Sequence, residues 1–184
     1  MSRRAVPPPA KLLASMIYRD EERFAAARAL FAERIGAVER VSGPFPFDFT
    51  EYYAREMGAP LARRFVVAAD PVARDALADA KAAAEGIEQA LAVGGRRTVN
   101  VDPGLLTEES FILATGKNYS HRVYLRDGVF ADLTLVYRRG AYRALPWTYP
   151  DYASDAVRAF LSDVRAAYRE SRGRGTEGRI CGRA

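Results

Sequence analysis

Two alternating segments of the chain, 119–125 and 129–137, are separated by the dipeptide Asp127-Gly128. Asp-Gly between alternating strands is the strongest short-range hairpin signal, because both central residues of a type I′ turn need positive φ. A tight hairpin commits its flanking segments to antiparallel pairing, so it limits the folds open to this chain more than any other feature. The sequence therefore predicts an antiparallel β-ribbon in the second half of the molecule.

The hairpin also predicts a register. In a two-residue turn Arg126 pairs with Val129, and counting outward pairs Val123 with Asp132. His121 then projects from the same side of the ribbon as Asp132, as a diagonal neighbour about 7–8 Å away. We therefore expect the chain's single imidazole and a carboxylate to lie within side-chain reach of each other.

The predicted elements before the hairpin follow the order strand, helix, strand, strand, helix, strand, which is the order of the split βαβ or ferredoxin-like arrangement. They cover residues 11–18, 21–35, 37–41, 63–69, 71–93 and 98–101. A last amphipathic helix follows the hairpin. The predicted fold class is α+β, with a ferredoxin-like core, an added antiparallel β-hairpin extension and a C-terminal helix.

Length and charge suggest one domain with basic ends. At 184 residues the chain fits a single domain, which we place at 11–170, after an extended lead-in at 1–10 and before a disordered basic tail at 171–184. The net charge of +5 is concentrated in the two ends. Binding of a phosphate backbone needs a basic surface on the folded body, so this distribution argues against nucleic acid as a partner.

Residue usage excludes several kinds of site. One cysteine, Cys181, allows no disulfide within the chain and fits a reducing compartment, so we expect a cytoplasmic protein with no membrane segment. With one cysteine and one histidine, neither a thiolate zinc site nor a multi-histidine metal site can form, whereas a carboxylate magnesium site stays open. Phosphate-binding loops and dinucleotide glycine motifs are missing, and the cofactor is unknown.

The ribbon carries the candidate catalytic pair. His121 would act as acid or base and Asp132 would orient it, with Lys117 or Arg122 holding an anion. The alternative is structural: a solvent-facing ribbon, or a buried His–Asp pair whose hydrogen bonds are satisfied.

Two aromatic, proline-stiffened loops are the next candidates. In the first, 45–53, Asp48 and Thr50 would be polar ligand contacts, and in the second, 146–152, Trp147 and Asp151. The alternative is that these rings only pack. Exposed rings at Phe45, Phe47 and Trp147 would favour a protein-binding surface, whereas a concave polar pocket beneath the rings would favour a ligand.

A third candidate is the tripeptide Asp102-Pro103-Gly104, which follows a predicted strand. It predicts a type II turn, with proline and glycine at the central positions. The functional reading puts the Asp102 carboxylate at a strand end, a common position for site residues.

Five stretches together resemble a known family. They are Pro-Phe-Pro-Phe-Asp-Phe-Thr-Glu-Tyr-Tyr at 44–53, Arg-Arg-Phe-Val at 63–66, Val-Asn-Val-Asp-Pro-Gly at 99–104, His-Arg-Val-Tyr-Leu at 121–125 and Leu-Pro-Trp-Thr-Tyr-Pro-Asp-Tyr at 145–152. In order and spacing they are similar to the bacterial and archaeal domain-of-unknown-function family 4416, over roughly residues 9–170. The resemblance implies a self-contained cytoplasmic domain and supplies no activity, cofactor or catalytic residue.

The residues favour a pocket for a small anionic ligand, phosphate-like or nucleotide-like, and phosphoester hydrolysis is the enzymatic form of this hypothesis. A non-enzymatic protein-interaction module that uses loops 45–53 and 146–152 is the alternative. RNA binding through the basic tails is a third hypothesis, which removal of residues 171–184 would test.

Overall fold

The computed structural model describes residues 3–177 and has an α+β fold built on a large antiparallel sheet. Nine strands and five α-helices are formed within this part of the chain. In chain order they are β1 (Ala10–Tyr18), α1 (Glu21–Arg34), β2 (Val38–Val41), β3 (Phe45–Pro46), α2 (Ala54–Met57), β4 (Ala62–Val72), α3 (Leu77–Leu91), β5 (Val99–Leu106), β6 (Ser110–Thr115), β7 (Arg122–Arg126), β8 (Val129–Arg138), β9 (Ala141–Ala144), α4 (Pro150–Ala153) and α5 (Asp155–Glu177).

The sheet runs in the order β2-β4-β1-β5-β6-β8-β7, while β3 adds to β4 and β9 adds to β8. All neighbouring strands are antiparallel. The first four strands of this order come from residues 10–106 and the other three from residues 110–138. The hairpin ribbon is therefore continuous with the sheet formed by residues 10–106.

Helices cover both faces of the sheet. Successive residues of β1 point to opposite sides, so Leu12 and Ala14 join one core cluster and Leu13 joins another. The first cluster contains the apolar faces of α1 and α3, including Phe31 and Ile87. The second contains the apolar face of α5. This layering explains why β1 is buried along its whole length.

Two proline-containing motifs lie inside strands, which corrects two predictions. The helix predicted from 71 is wrong at its start, because β4 continues to Val72 and α3 begins at Leu77 after a short 3-10 turn. Pro71 pairs with β1 but lies beyond the last β4 residue that pairs with β2, Ala68. Its missing N–H therefore faces a free edge.

The turn predicted at Asp102-Pro103-Gly104 is also wrong, because β5 runs through all three residues. Asp102 consequently lies within the strand and not at its end. A Cβ at Gly104 would lie 2.9 Å from the carbonyl oxygen of Ile112 and 2.9 Å from the ring of Phe111. Glycine is needed there because β6 passes close to it, and not because the chain turns.

The tight hairpin turn is present, but the register beyond it differs from the prediction. Asp127 and Gly128 have φ of 52° and 77°, and Arg126 pairs with Val129. The register then shifts at Leu125, so that Arg122 and not Val123 lies opposite Asp132. β7 is the last strand of the sheet, a position where β-bulges are common.

The lead-in precedes β1, and the last helix extends past the predicted domain boundary at residue 170. The lead-in reaches β1 at Ala10, and Arg74 donates a hydrogen bond to the carbonyl of Pro8 over 2.9 Å. Helix α5 continues to Glu177, into the segment for which the sequence predicts a disordered tail, while residues 178–184 lie outside the described residues. Among the described residues, none of the helices combines the length and apolar character needed to cross a bilayer.

Candidate functional site

A cavity of about 490 Å³ opens where β5 and β6 separate. The two strands pair only from Gly104 to Leu106 on the β5 side, and Pro103, which precedes them, has no N–H to continue the ladder. Both aromatic loops contribute residues to the lining of the cavity. The lining residues are Phe47, Phe49, Thr50, Tyr52, Tyr53, Arg63, Lys81, Glu85, Arg97, Asn100, Asp102, Leu113, Ala114, Thr115, Gly116, Lys117, Arg122, Asp132, Tyr149, Pro150, Asp151 and Tyr152.

The ion pair of Arg122 with Asp132 forms one wall of the cavity. Arg122 Nε donates to Asp132 Oδ2 over 2.8 Å, and both side chains are less than a tenth exposed. The same guanidinium donates to the carbonyl of Lys117 and to the hydroxyl of Tyr149, over 3.0 and 3.1 Å. Arg122 therefore ties together the loop after β6, the hairpin and the second aromatic loop.

His121 lies behind this wall. Its Nε2 is 3.3 Å from Asp132 Oδ2, and its ring stacks on Trp147 with the centroids 4.8 Å apart. Trp147 is fixed in turn by a hydrogen bond from its indole N–H to the carbonyl of Leu133, over 2.8 Å. Neither ring lines the cavity, so His121 can act on its contents only through Asp132.

A second buried ion pair, Arg63 with Asp151, also lines the cavity. The Arg63 guanidinium lies between two rings, 4.9 Å from the centroid of Phe47 and 4.4 Å from that of Tyr152. Aromatic faces attract a guanidinium, so these two contacts stabilise the buried charge of Arg63. Burial raises the pKa of Tyr152, although Arg63 opposes the shift, and the phenol stays protonated at neutral pH.

The floor of the cavity is a chain of polar contacts along β5. Asn100 Nδ2 donates to Asp102 Oδ2 over 2.6 Å, and Lys81 Nζ lies 3.6 Å from Asp102 Oδ1. Arg97 donates to Asn100 Oδ1 over 2.9 Å, and its guanidinium also donates to both carboxylate oxygens of Glu56. These hydrogen bonds raise the pKa of Arg97 and lower that of Glu56, so both side chains are charged.

Glu88 supports this floor from α3. Burial raises its pKa to about 7, although its Oε1 accepts the backbone N–H of Val101 over 2.6 Å and Lys81 lies nearby. Its carboxyl does not line the cavity.

Three aromatic rings stand around the mouth. Phe49 and Tyr52 come from the first aromatic loop and Tyr149 from the second, and all three are exposed. Thr50 shapes the first loop, because its hydroxyl accepts the N–H of Tyr52 over 3.1 Å. Lys117 Nζ lies 4.9 Å from the centroid of Tyr52.

The structure brings most of the candidate site residues together. Those that line the cavity are Thr50, Asp102, Lys117, Arg122, Asp132 and Asp151. His121 and Trp147 lie one layer behind it, and Asp48 is exposed outside it. Among the described residues, no group of three histidine, cysteine, aspartate or glutamate side chains could hold a metal ion.

Sequence reasoning missed Arg63, Lys81 and Arg97. The one available signal was the Arg63-Arg64 pair at the start of an apolar predicted strand, since an arginine that a strand buries needs a partner. Lys81 and Arg97 carried no such signal, because a lysine on a helix and an arginine before a strand are usually solvated.

One known protein family matches most of the chain. The model of a family described as a domain of unknown function, DUF4416, matches residues 8–168. The chain belongs to the DUF4416 family. Neither a curated protein nor a solved structure matches this DUF4416 chain. The match includes every residue that lines the cavity.

Proposed function

We propose that this DUF4416 domain binds a small, phosphate-type anion in the cavity between β5 and β6. The observation that carries the proposal is that two ion pairs, Arg63–Asp151 and Arg122–Asp132, line the same cavity with all four side chains less than a tenth exposed. Buried ion pairs seldom stabilise a fold more than apolar residues of the same volume would. Two of them facing one cavity are therefore better explained by a ligand.

An exposed cation in the lining favours an anion. Five cationic and four carboxylate side chains line the cavity, and Arg97 among them is paired with Glu56 outside the lining. Lys117 is the exposed cation among them, and within the described part of the chain it forms no ion pair with a carboxylate. Arg122 adds free donors, because only three of the five N–H groups of a guanidinium are used in its hydrogen bonds.

A ligand screen by thermal shift tests this proposal. The panel contains inorganic phosphate, sugar phosphates, nucleotides and, separately, divalent cations. A ligand that binds only the folded state raises the melting temperature by mass action, and one at 100 times its Kd adds about 2.7 kcal/mol. Stabilisation by one class of phosphate compound, reduced in Lys117→Ala, supports the proposal. A panel without any stabilising phosphate compound refutes it.

Phosphoester hydrolysis is the second candidate, favoured by the contact between His121 and Asp132. Asp132 lines the cavity, and His121 Nε2 lies 3.3 Å from its Oδ2 and would orient the carboxylate. The carboxylate would take the proton of an attacking water, the bond between phosphorus and the ester oxygen would break, and the leaving alcohol would carry that proton away. Arg122 would hold a phosphate oxygen. Release of inorganic phosphate from the compounds that bind, abolished in Asp132→Asn while binding is retained, would support this activity.

The exposure of the aromatic rings argues for a ligand over a protein-interaction module. Phe47 is 6% exposed and sits beneath the loop, and Phe45 packs between Phe65 and Phe160. Trp147 is 38% exposed, but one face of its indole ring is stacked on His121.

We also infer that residues 10–106 have the ferredoxin-like arrangement. Support comes from the sheet order β2-β4-β1-β5 and from the packing of α1 and α3 on one face. The cytoplasmic location stays a prediction from the sequence.

A further inference from the structure

Exposed aromatic rings surround a cavity whose interior is charged. Phe49, Tyr52 and Tyr149 are 48%, 57% and 51% exposed, and all three line the mouth of the cavity. Large apolar side chains that are exposed to solvent and grouped around one cavity often mark a binding groove. The ion pairs described above lie deeper in the same cavity.

Each of these rings is held in position from behind. Phe49 packs edge-on against buried Phe47, with the ring centroids 6.4 Å apart. Tyr52 packs at 90° against Tyr53, with the centroids 5.0 Å apart. The hydroxyl of Tyr149 accepts a hydrogen bond from Arg122 over 3.1 Å. The rim is therefore pre-organised, which lowers the entropy cost of stacking a ligand on it.

Lys117, the exposed cation of the cavity lining, lies beside one of these rings. Its Nζ is 4.9 Å from the centroid of Tyr52. Arg122, which fixes Tyr149, lines the cavity next to it. A ligand that satisfies both features has an apolar planar part at the mouth and an anionic part a few ångströms further in. A sugar phosphate would leave the rings in water, and an uncharged aromatic compound would leave Lys117 unused.

We propose that the ligand of the cavity is a phosphorylated planar ring, whose ring stacks on the aromatic rim and whose phosphate contacts Lys117 and Arg122. This inference rests on the proposed function and adds the class of compound. Nucleotides and phosphorylated heterocycles without a sugar share this chemistry. A cavity of about 490 Å³ is of the size that encloses compounds of this kind.

Isothermal titration of the full chain with four probes tests the inference. Adenosine monophosphate and pyridoxine 5′-phosphate carry both parts, ribose 5-phosphate lacks the ring and adenosine lacks the phosphate. One base stacked on an aromatic side chain typically accounts for 1–3 kcal/mol, so we expect at least one ring phosphate to bind roughly tenfold more tightly than ribose 5-phosphate. Which of the two binds more tightly distinguishes a nucleotide from another ring.

Tyr52→Ala should remove this tenfold gain and leave the affinity for ribose 5-phosphate unchanged. Tyr124→Ala is the matched control, because Tyr124 is 58% exposed on β7 and does not line the cavity. Phe49→Ala repeats the test if Tyr52→Ala lowers the melting temperature. Equal affinity for ribose 5-phosphate and both ring phosphates, or a gain that survives in both rim variants, overturns the inference while the proposed function stands. If none of the three phosphates binds, the inference is overturned, and the proposed function is refuted as well when the full thermal-shift panel contains no stabilising phosphate compound.

Discussion

Arg122 lies opposite Asp132 in the β7–β8 ladder, and its Nε donates a hydrogen bond to Asp132 Oδ2 over 2.8 Å. The bulge at Leu125 creates this pairing, because without it Val123 would occupy the position of Arg122. One extra residue in an edge strand thus exchanges an apolar side chain for a cation at the wall of the cavity. The carboxylate also contacts His121, so a single side chain joins the imidazole to the cavity.

Removal of the Asp132 carboxylate should destabilise the fold strongly. Asp132→Ala leaves the buried Arg122 guanidinium without its ion-pair partner, and breaking a buried pair typically costs about 3–5 kcal/mol. The free energy of unfolding from urea denaturation measures this loss. Glu33→Ala is the control, because Glu33 is largely exposed and lies 4.0 Å from Arg34, and it should change the free energy by less than about 0.5 kcal/mol. A loss as small as that of the control would mean that water enters the cavity and solvates Arg122.

Glu88 should make the stability depend on pH. Its pKa is raised from 4.5 to about 7, so the folded state binds a proton that the unfolded state has released, and the unfolding free energy falls as the pH rises between these values. Glu88→Gln removes this loss and can still accept the N–H of Val101. The free energy of unfolding of the variant, relative to that of the wild type, should therefore be roughly 3 kcal/mol higher at pH 8 than at pH 4.5.

Chemical denaturation at a series of pH values measures this gain. Glu85→Gln is the control on the same helix, because its side chain is half exposed and its difference from the wild type should stay nearly constant. If the free energies of unfolding of Glu88→Gln and the wild type differ by the same amount from pH 4.5 to 8, the raised pKa of Glu88 is contradicted.

Gly104 should not tolerate a side chain. Its Cβ would lie 2.9 Å from the backbone oxygen of Ile112, so β5 and β6 would have to separate, and overpacking of this kind typically costs about 1–3 kcal/mol. Gly116→Ala is the control, because an added Cβ would meet no atom within 4 Å there. Melting temperatures of the two variants measure the effect, and equal values would show that the strands have room at Gly104.

The sequence predicted the elements better than it predicted their limits. Strand β1 and helix α1 were found within one residue, because their apolar periodicity is local information. The two proline motifs were misread as a helix start and a turn. A proline is tolerated at Pro71 and Pro103 because the neighbouring strand no longer pairs with the chain at those residues. The local sequence does not show where that pairing stops.

The candidate site was predicted in part for a similar reason. The Asp-Gly turn correctly predicted that His121 and Asp132 lie close together. His121 Nε2 and Asp132 Oδ2 are 3.3 Å apart, even though the register is shifted by one residue. Arg63 was missed, because its value as a cavity residue depends on Asp151, which lies far along the chain. Pairings at such sequence separation are tertiary information that a single sequence does not display.

Titration of Lys117→Ala with the phosphate compound that most stabilises the wild type tests the central claim most directly. Lys117 is exposed, so its loss leaves the fold intact, and Arg28→Ala removes the same charge from the exposed face of α1 as a control. A charge-assisted hydrogen bond contributes about 1.5–3 kcal/mol, so Kd should rise at least tenfold in Lys117→Ala and stay unchanged in Arg28→Ala. Equal Kd values for Lys117→Ala and the wild type would show that the anion binds elsewhere on the domain.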